Sequence, residues 1–146
     1  MPSTLSFQNR SGSYKMERHN NIVICTLEGA MGVSMAKRYL ANLNSFAQQF
    51  NQIAWGFVAS ASEYQGAAPG AEEYLSEAYT RAIRQNCKSD AYCMTSPMAI
   101  AQLAKLRQQC NLPGAISRRV YSTIEHAITL VKKELSAITT DPVSNN

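Results

Sequence analysis

Strand-like runs and amphipathic helices alternate along this chain, and that alternation limits its possible folds more than any other feature. Nine elements are predicted, in the order β-β-α-β-α-β-α-β-α. Strands that alternate with helices are joined by right-handed crossovers, which place the strands parallel in one sheet. The expected fold class is therefore α/β, a single domain with a mixed, mostly parallel sheet flanked by helices.

The first two strands are predicted in the stretch SGSYKMERHNNIVICTLEG. Asn20 and Asn21 tolerate turn geometry, which predicts a hairpin. The run from Ile22 to Leu27 is nearly continuously apolar, as is typical of a strand buried on both faces. The stretch VSMAKRYLANLNSFAQQF follows and carries apolar residues at three- and four-residue steps, which predicts an amphipathic helix.

The stretch GFVASASEYQGAAPGAEEY, residues 56–74, is a strand-to-helix junction. A strand is predicted for residues 53–59 and a loop of small residues after it. Pro69 fits the first turn of the next helix, where a missing N–H costs nothing. Glu72 and Glu73 complement the positive end of that helix.

The second half of the chain repeats this pattern. DAYCMTS is a predicted strand, and Ser96 followed by Pro97 predicts the start of a helix that ends near Cys110. SRRVYS is a last short strand. Ser122 and Glu125 match a capping box, which predicts the start of the final helix.

Length and composition favour one domain. The chain has 146 residues, of which 45% are hydrophobic and 16% charged, enough to bury a core and too apolar for a disordered chain. The domain is expected over residues 12–138. The polar segments 1–11 and 139–146 are expected to be flexible termini.

The charges, the N-terminus and the cysteines exclude several functions. The net charge of +4 is spread over predicted helix faces, so nucleic acid is not an expected partner. No apolar run is long enough to span a membrane and no signal peptide is visible, so the cytoplasm is expected. The four cysteines form no C-x-x-C pair, and Cys25 and Cys93 lie in apolar runs. Neither a metal site, a disulfide framework nor a cofactor is expected.

Four stretches together resemble the STAS-like superfamily, which contains STAS domains, the SpoIIAA-like anti-sigma-factor antagonists and related STAS/SEC14-like proteins. They are NIVICTLEG, IAWGFVAS, AYCMTSPMAIAQL and VYSTIEHAITLVKKEL. The resemblance is one of topology and apolar pattern over nearly the whole domain. It implies a non-enzymatic regulatory module of bacterial origin that binds a protein partner.

In anti-sigma antagonists, the resemblance further implies, a serine in an aspartate-serine motif at the start of the second helix is phosphorylated by a kinase. The equivalent junction here reads ASASEYQGAAPG, and it lacks that motif. Ser60 and Ser62 lie nearest the corresponding place. They either end a strand and satisfy loop backbone groups, or accept a phosphate or ligand at the helix N-terminus. The neighbouring glutamates oppose a phosphate by like-charge repulsion.

Aromatic residues also crowd this junction, including Tyr64 and Tyr74. They either pack in the core or line an apolar pocket at the carboxyl ends of the strands, where open α/β sheets bind ligands. Ser60, Ser62, Tyr64 and Tyr74 are therefore the candidate partner or ligand contacts.

Enzymatic activity is not expected. His19 and His126 are the only histidines, and no spacing brings either into a catalytic arrangement. Neither nucleotide fingerprint occurs. The prediction is a protein-binding regulatory module. The alternative is a module that binds a small molecule or lipid in an apolar pocket, and a third interpretation is RNA association through the basic charge.

Overall fold

The computed structural model describes residues 2–140, and the side chains of residues 2–138. Six strands form one sheet: β1 Thr4–Gln8, β2 Gly12–His19, β3 Ile22–Met31, β4 Trp55–Ala67, β5 Cys87–Met94 and β6 Val120–Tyr121. The α-helices are α1 Val33–Gln49, α2 Glu72–Arg84, α3 Pro97–Gln109 and α4 Ile124–Thr140. The predicted class is confirmed: an α/β domain whose mixed sheet is flanked by helices.

The strands lie in the sheet in their order along the chain. β1, β2 and β3 are antiparallel neighbours, whereas β3 to β6 run parallel. Because the chain steps in one direction from β3 to β6, right-handed crossovers place α1, α2 and α3 on the same face. Helix α4 follows the last strand and covers β4 and β5 from the other face.

Strand β1 lies in the segment expected to be a flexible terminus, so that expectation is wrong for Thr4–Gln8. The strand pairs antiparallel with β2. Its alternate residues Leu5 and Phe7 are half-buried against the core, and the Phe7 ring lies 6.1 Å from that of Tyr14. The alternation is too short and polar to stand out in the sequence, and β2 supplies the missing partner. The other expected flexible segment, 139–146, has no described side chains.

Strand β4 runs through the stretch expected to be a loop. It extends to Ala67 because β3 continues to Met31 and offers hydrogen-bonding partners beyond the predicted strand end. Two register shifts against β3 insert extra residues into β4, as β-bulges do. Helix α2 consequently begins at Glu72, and Pro69 lies in the turn before it rather than in its first turn.

The helix starts are otherwise close to expectation. The Ala99 N–H donates to the Ser96 hydroxyl at 3.3 Å, and Pro97 opens α3 as predicted. For α4 the capping residue is shifted by one: the His126 N–H donates to the Thr123 hydroxyl at 3.3 Å. Ser122 precedes that cap and is not the capping residue.

Two apolar cores result, one on each face of the sheet. The larger lies under α1, α2 and α3, where Trp55 and Phe50 stack with ring centroids 5.0 Å apart. The smaller lies under α4 and is built on Val58 and Val131. At Gly56 the helix approaches so closely that a β-carbon would collide with the Val131 side chain. The sheet face covered by α1, α2 and α3 also contains an open cavity.

Candidate functional site

A cavity of about 450 Å³ opens between α2 and α3, above β3, β4 and β5. It reaches from Met31 and Met94, at the carboxyl ends of β3 and β5, down to Phe57 in the first half of β4. We call it the α2–α3 cavity. Its apolar wall and floor are Leu27, Met31, Tyr39, Phe57, Ala59, Tyr64, Leu75, Tyr79, Tyr92, Met94, Ala99, Leu103 and Leu106. It opens to solvent beside the exposed side chains of Glu73, Lys105 and Gln109.

The cavity exists because α2 and α3 hardly touch each other. Helix α3 is instead held to the end of β4 by Gln102. Its side-chain oxygen accepts from the Ala67 N–H at 2.8 Å and its side-chain N–H₂ donates to the Ala67 carbonyl at 2.9 Å. β5 has ended by this point, so Gln102 takes the place of a strand neighbour. Gly66 sits at φ +115°, and a β-carbon there would lie 3.0 Å from the Gln102 oxygen.

The hydroxyl of Tyr79 is an unusual polar group behind the cavity wall. Tyr79 is 9% exposed, and its oxygen is buried without a hydrogen-bond partner among the described residues. Leaving such a group unsatisfied costs about 1–3 kcal/mol. Because the oxygen itself is buried, Tyr79 presents its ring and not its hydroxyl to the cavity.

The neighbouring tyrosines are held in their neutral form. Burial, reinforced by the charge of Glu72, raises the pKa of Tyr64 well above its usual value. Burial does the same to the pKa of Tyr39. Both therefore stay protonated at neutral pH and act as neutral, partly polar surface.

Acidic side chains collect at the mouth. Glu72 and Glu73 stand in the first turn of α2, and Glu77 lies one turn further. Glu77 forms an exposed ion pair with Arg81, whose Nε–H donates to Glu77 Oε1 at 2.8 Å. Lys105 is the cation among the lining residues. Glu72 and Glu73 therefore leave an excess of negative charge at the mouth.

Behind the cavity lies a buried polar cluster that the sequence analysis did not find. Arg107 donates to both carboxylate oxygens of Asp90, at 2.9 and 3.0 Å, and the Tyr92 hydroxyl donates to one of them at 2.7 Å. Arg107 is 4% exposed and Asp90 8%. Burial lowers the pKa of Arg107, but its bonds to Asp90 outweigh this and the net direction is upward. A charged residue on the apolar stripe of α3, one turn after Leu103, is the sequence signal that could have revealed the pair.

A second ion pair extends this cluster towards α4. Arg119 donates to both oxygens of Glu134, at 2.7 and 3.0 Å, and to the Asp90 carbonyl at 3.2 Å. Ser89 also donates to Glu134. Burial raises the pKa of Glu134, yet the bonds from Arg119 and Ser89 outweigh it, so the pKa lies below its usual value. Every charged side chain in the cluster has a partner. The cluster therefore links β5, α3 and α4 and stabilises their packing.

The carboxyl end of the sheet presents a second surface, which we call the carboxyl-end surface: Val33, residues 66–70 and Met98. Val33 and Met98 are 41% and 57% exposed. A β-carbon on Gly70 would lie 3.1 Å from the Val33 side chain, and one on Gly66 would lie 3.6 Å from that of Met98. Two exposed apolar side chains therefore flank the turn that leads into α2.

No cluster of three or more potential metal-ligating side chains occurs in the described part of the chain. The cysteines are free thiols. Burial raises the pKa of Cys25 far above its usual value and that of Cys87 to about 12, so neither is a thiolate at neutral pH. No helix within residues 2–140 has both the length and the apolarity for a bilayer crossing.

Comparisons with known proteins bear on the fold. No protein-family model matches the sequence, and no curated protein matches it. The crystal structure of an anti-sigma factor antagonist from Mycobacterium paratuberculosis matches with a TM-score of 0.59, over 84% of this chain and 95% of the other, at 13% sequence identity. This chain has a STAS-like fold.

The predicted contact residues of this STAS-like domain do not converge on one site. Tyr64 lines the α2–α3 cavity, whereas Tyr74 is half-buried outside its lining. Ser60 is half-buried and shares the side of β4 on which Val58 packs, which faces away from α1 to α3. Ser62 is exposed next to the end of β5, where its carbonyl accepts from Thr95.

This placement corrects one interpretation of the serines. Both lie inside β4, at least ten residues before α2 begins at Glu72. They therefore lie in a strand and not in the loop expected before α2, and a role for Ser60 or Ser62 in holding a phosphate or ligand stays a prediction. A role for Ser62 in contacting a partner stays a prediction.

Proposed function

We propose that this STAS-like domain is a non-enzymatic regulatory module of the bacterial cytoplasm that binds a protein partner. The observation that supports it is the carboxyl-end surface, where the exposed Val33 and Met98 flank residues 66–70. Apolar side chains grouped on a surface and rimmed by polar groups are typical of interaction sites. Ser62 lies near this end of the sheet and is included in the proposed contact.

The structural neighbour supports the regulatory part of the proposal, since its name describes an antagonist of an anti-sigma factor. A protein of that kind acts by binding another protein. The absence of catalysis is supported by the chemistry of the site: both histidines are exposed, and the thiols of the buried Cys25 and the half-buried Cys87 have raised pKa values. Such groups provide no activated nucleophile or paired base.

Site-specific photo-crosslinking tests the proposed surface. A benzophenone amino acid is placed at position 98 or 33, and at position 53 as the matched control, because Ile53 is 60% exposed and Met98 57%. Ile53 precedes β4 and therefore lies at the opposite end of the parallel strands. After illumination in cells, discrete adducts to one protein are expected from positions 98 and 33 and not from 53.

A binding assay with the crosslinked protein then measures how much the exposed side chains contribute to the affinity. Met98→Asp is expected to weaken its affinity about tenfold or more, as loss of a buried apolar anchor does, whereas Ile53→Asp leaves it unchanged. Equal crosslinking at position 53, or no adduct from a folded variant at positions 98 and 33, overturns the proposal.

A further inference from the structure

We propose that the α2–α3 cavity binds a small amphiphile with an apolar body and a head that carries no negative charge. This site is separate from the carboxyl-end surface and does not depend on the protein-partner proposal. The occupant is a small molecule because the cavity is concave and walled by residues of three helices and three strands. Two features define the ligand: the volume and apolar lining of the cavity, and the charge at its mouth.

The volume and lining select the apolar body. A space of about 450 Å³ falls within the usual range of roughly 300–1,000 Å³ for ligand pockets. Met31 and Met94 stand at the carboxyl ends of β3 and β5 and line the space, and Leu103 and Leu106 line it from α3. Methionine side chains adapt to irregular apolar shapes, so this wall suits an aliphatic or aromatic body.

Tyr79 contributes its ring to the apolar wall. Its hydroxyl oxygen is buried, so a ligand in the cavity does not bond to it. Tyr79 also borders the smaller cavity of about 120 Å³ that leads towards Asp90 and Arg107. The apolar body of the ligand is therefore expected to enter deepest, against this ring.

The mouth selects against an anionic head. Glu72 and Glu73 line it without an ion pair among the described residues. Arg81 neutralises Glu77, so Glu72 and Glu73 are the two carboxylates that remain. Lys105 offsets one of them, and the amino end of α2 contributes roughly half a positive charge, which leaves about half a negative charge at the mouth. A neutral or cationic head is accepted here, and a carboxylate or phosphate head is repelled.

The first experiment measures binding with purified full chain, refolded from denaturant to remove any carried ligand. Nile red is the probe, since it is neutral and apolar. A saturable blue shift with one dye per chain is expected. Displacement is then compared for decylamine, decanol and decanoate, which share one chain length and differ in head charge. Decanoate is expected to bind about fivefold more weakly than decylamine.

Matched variants locate the site. Ala99→Phe fills the cavity from α3 and is expected to abolish the dye signal, whereas Ala101→Phe on the exposed side of the same helix leaves it unchanged. If Ala99→Phe fails to fold by circular dichroism, Ser76→Phe tests the same space from α2. Tyr79→Phe is expected to leave Nile red binding unchanged, because the Tyr79 hydroxyl oxygen is buried away from the cavity.

A charge reversal tests the mouth. Glu73→Lys is expected to reduce the preference for decylamine over decanoate. Glu125→Lys is the control, because Glu125 is also an exposed acid in the first turn of a helix but lies on α4. The proposal is overturned by absence of saturable binding, by decanoate binding as tightly as decylamine, or by unchanged binding in the folded cavity-filling variant. None of these outcomes bears on crosslinking at the carboxyl-end surface.

Discussion

Two tyrosines in the same cavity wall are expected to respond in opposite directions when each loses only its hydroxyl. Tyr79 carries a buried hydroxyl with no described partner, whereas the hydroxyl of Tyr92 donates to the Asp90 carboxylate at 2.7 Å. Phenylalanine keeps the ring and its packing in both cases. The difference between Tyr79→Phe and Tyr92→Phe therefore isolates what a buried hydroxyl contributes with and without a partner.

The magnitudes follow from these environments. An unsatisfied buried polar group costs about 1–3 kcal/mol, so Tyr79→Phe is expected to raise the free energy of unfolding by about 1 kcal/mol. A hydrogen bond to a charged group contributes about 1.5–3 kcal/mol, so Tyr92→Phe is expected to lower it by about 2 kcal/mol. In a chain of this length each kcal/mol moves Tm by roughly 2–4 °C. Tm should rise by about 3 °C in one variant and fall by about 6 °C in the other.

Urea unfolding at pH 7, followed by circular dichroism, gives both free energies, and equal m-values show that neither variant changes the surface exposed on unfolding. The proteins are refolded first, because a ligand carried in the cavity would add stability to the folded state. A loss of more than about 0.5 kcal/mol in ligand-free Tyr79→Phe would refute the reasoning, since it would mean that the hydroxyl has a partner in the folded chain.

Two further predictions concern the buried Arg107–Asp90 pair and the half-buried Arg119–Glu134 pair. Arg107→Met leaves the Asp90 carboxylate buried and without its ion pair, so the free energy of unfolding should fall by about 3–5 kcal/mol. Arg81→Met breaks an exposed pair and should change the free energy of unfolding by less than about 1 kcal/mol. Equal losses for the two variants in urea unfolding would contradict this prediction. Burial raises the pKa of Glu134, but its hydrogen bonds to Arg119 and Ser89 outweigh burial and lower the pKa in the folded state. The contribution of Glu134 to folding stability is therefore complete above the unfolded pKa of about 4.3. It is lost as the pH falls through the lower folded pKa. Unfolding measured between pH 6 and 3 should therefore show a steeper loss of stability in the parent than in Glu134→Gln, and parallel curves would count against the pairing.

The sequence by itself determined the order and type of most elements. The apolar run at Ile22–Leu27 and the helical stripes at 33–50 and 124–138 are strong local periodicities, and each reappears in β3, α1 and α4. Helix starts at Ser96 and near Ser122 were also predicted within one residue, because capping depends on neighbours in the chain. Alternation of these elements was sufficient to predict a mixed α/β sheet.

Tertiary structure decided what depends on partners distant in the chain. Strand β1 and the second half of β4 show no strong hydrophobic alternation in the sequence. They form strands because β2 and β3, respectively, pair with them through backbone hydrogen bonds. The space between α2 and α3, the partnerless hydroxyl of Tyr79 and the burial of Arg107 against Asp90 all follow from how helices pack on the sheet. Local periodicity predicts which face of an element is buried, but not which side chains meet there or where space is left between them.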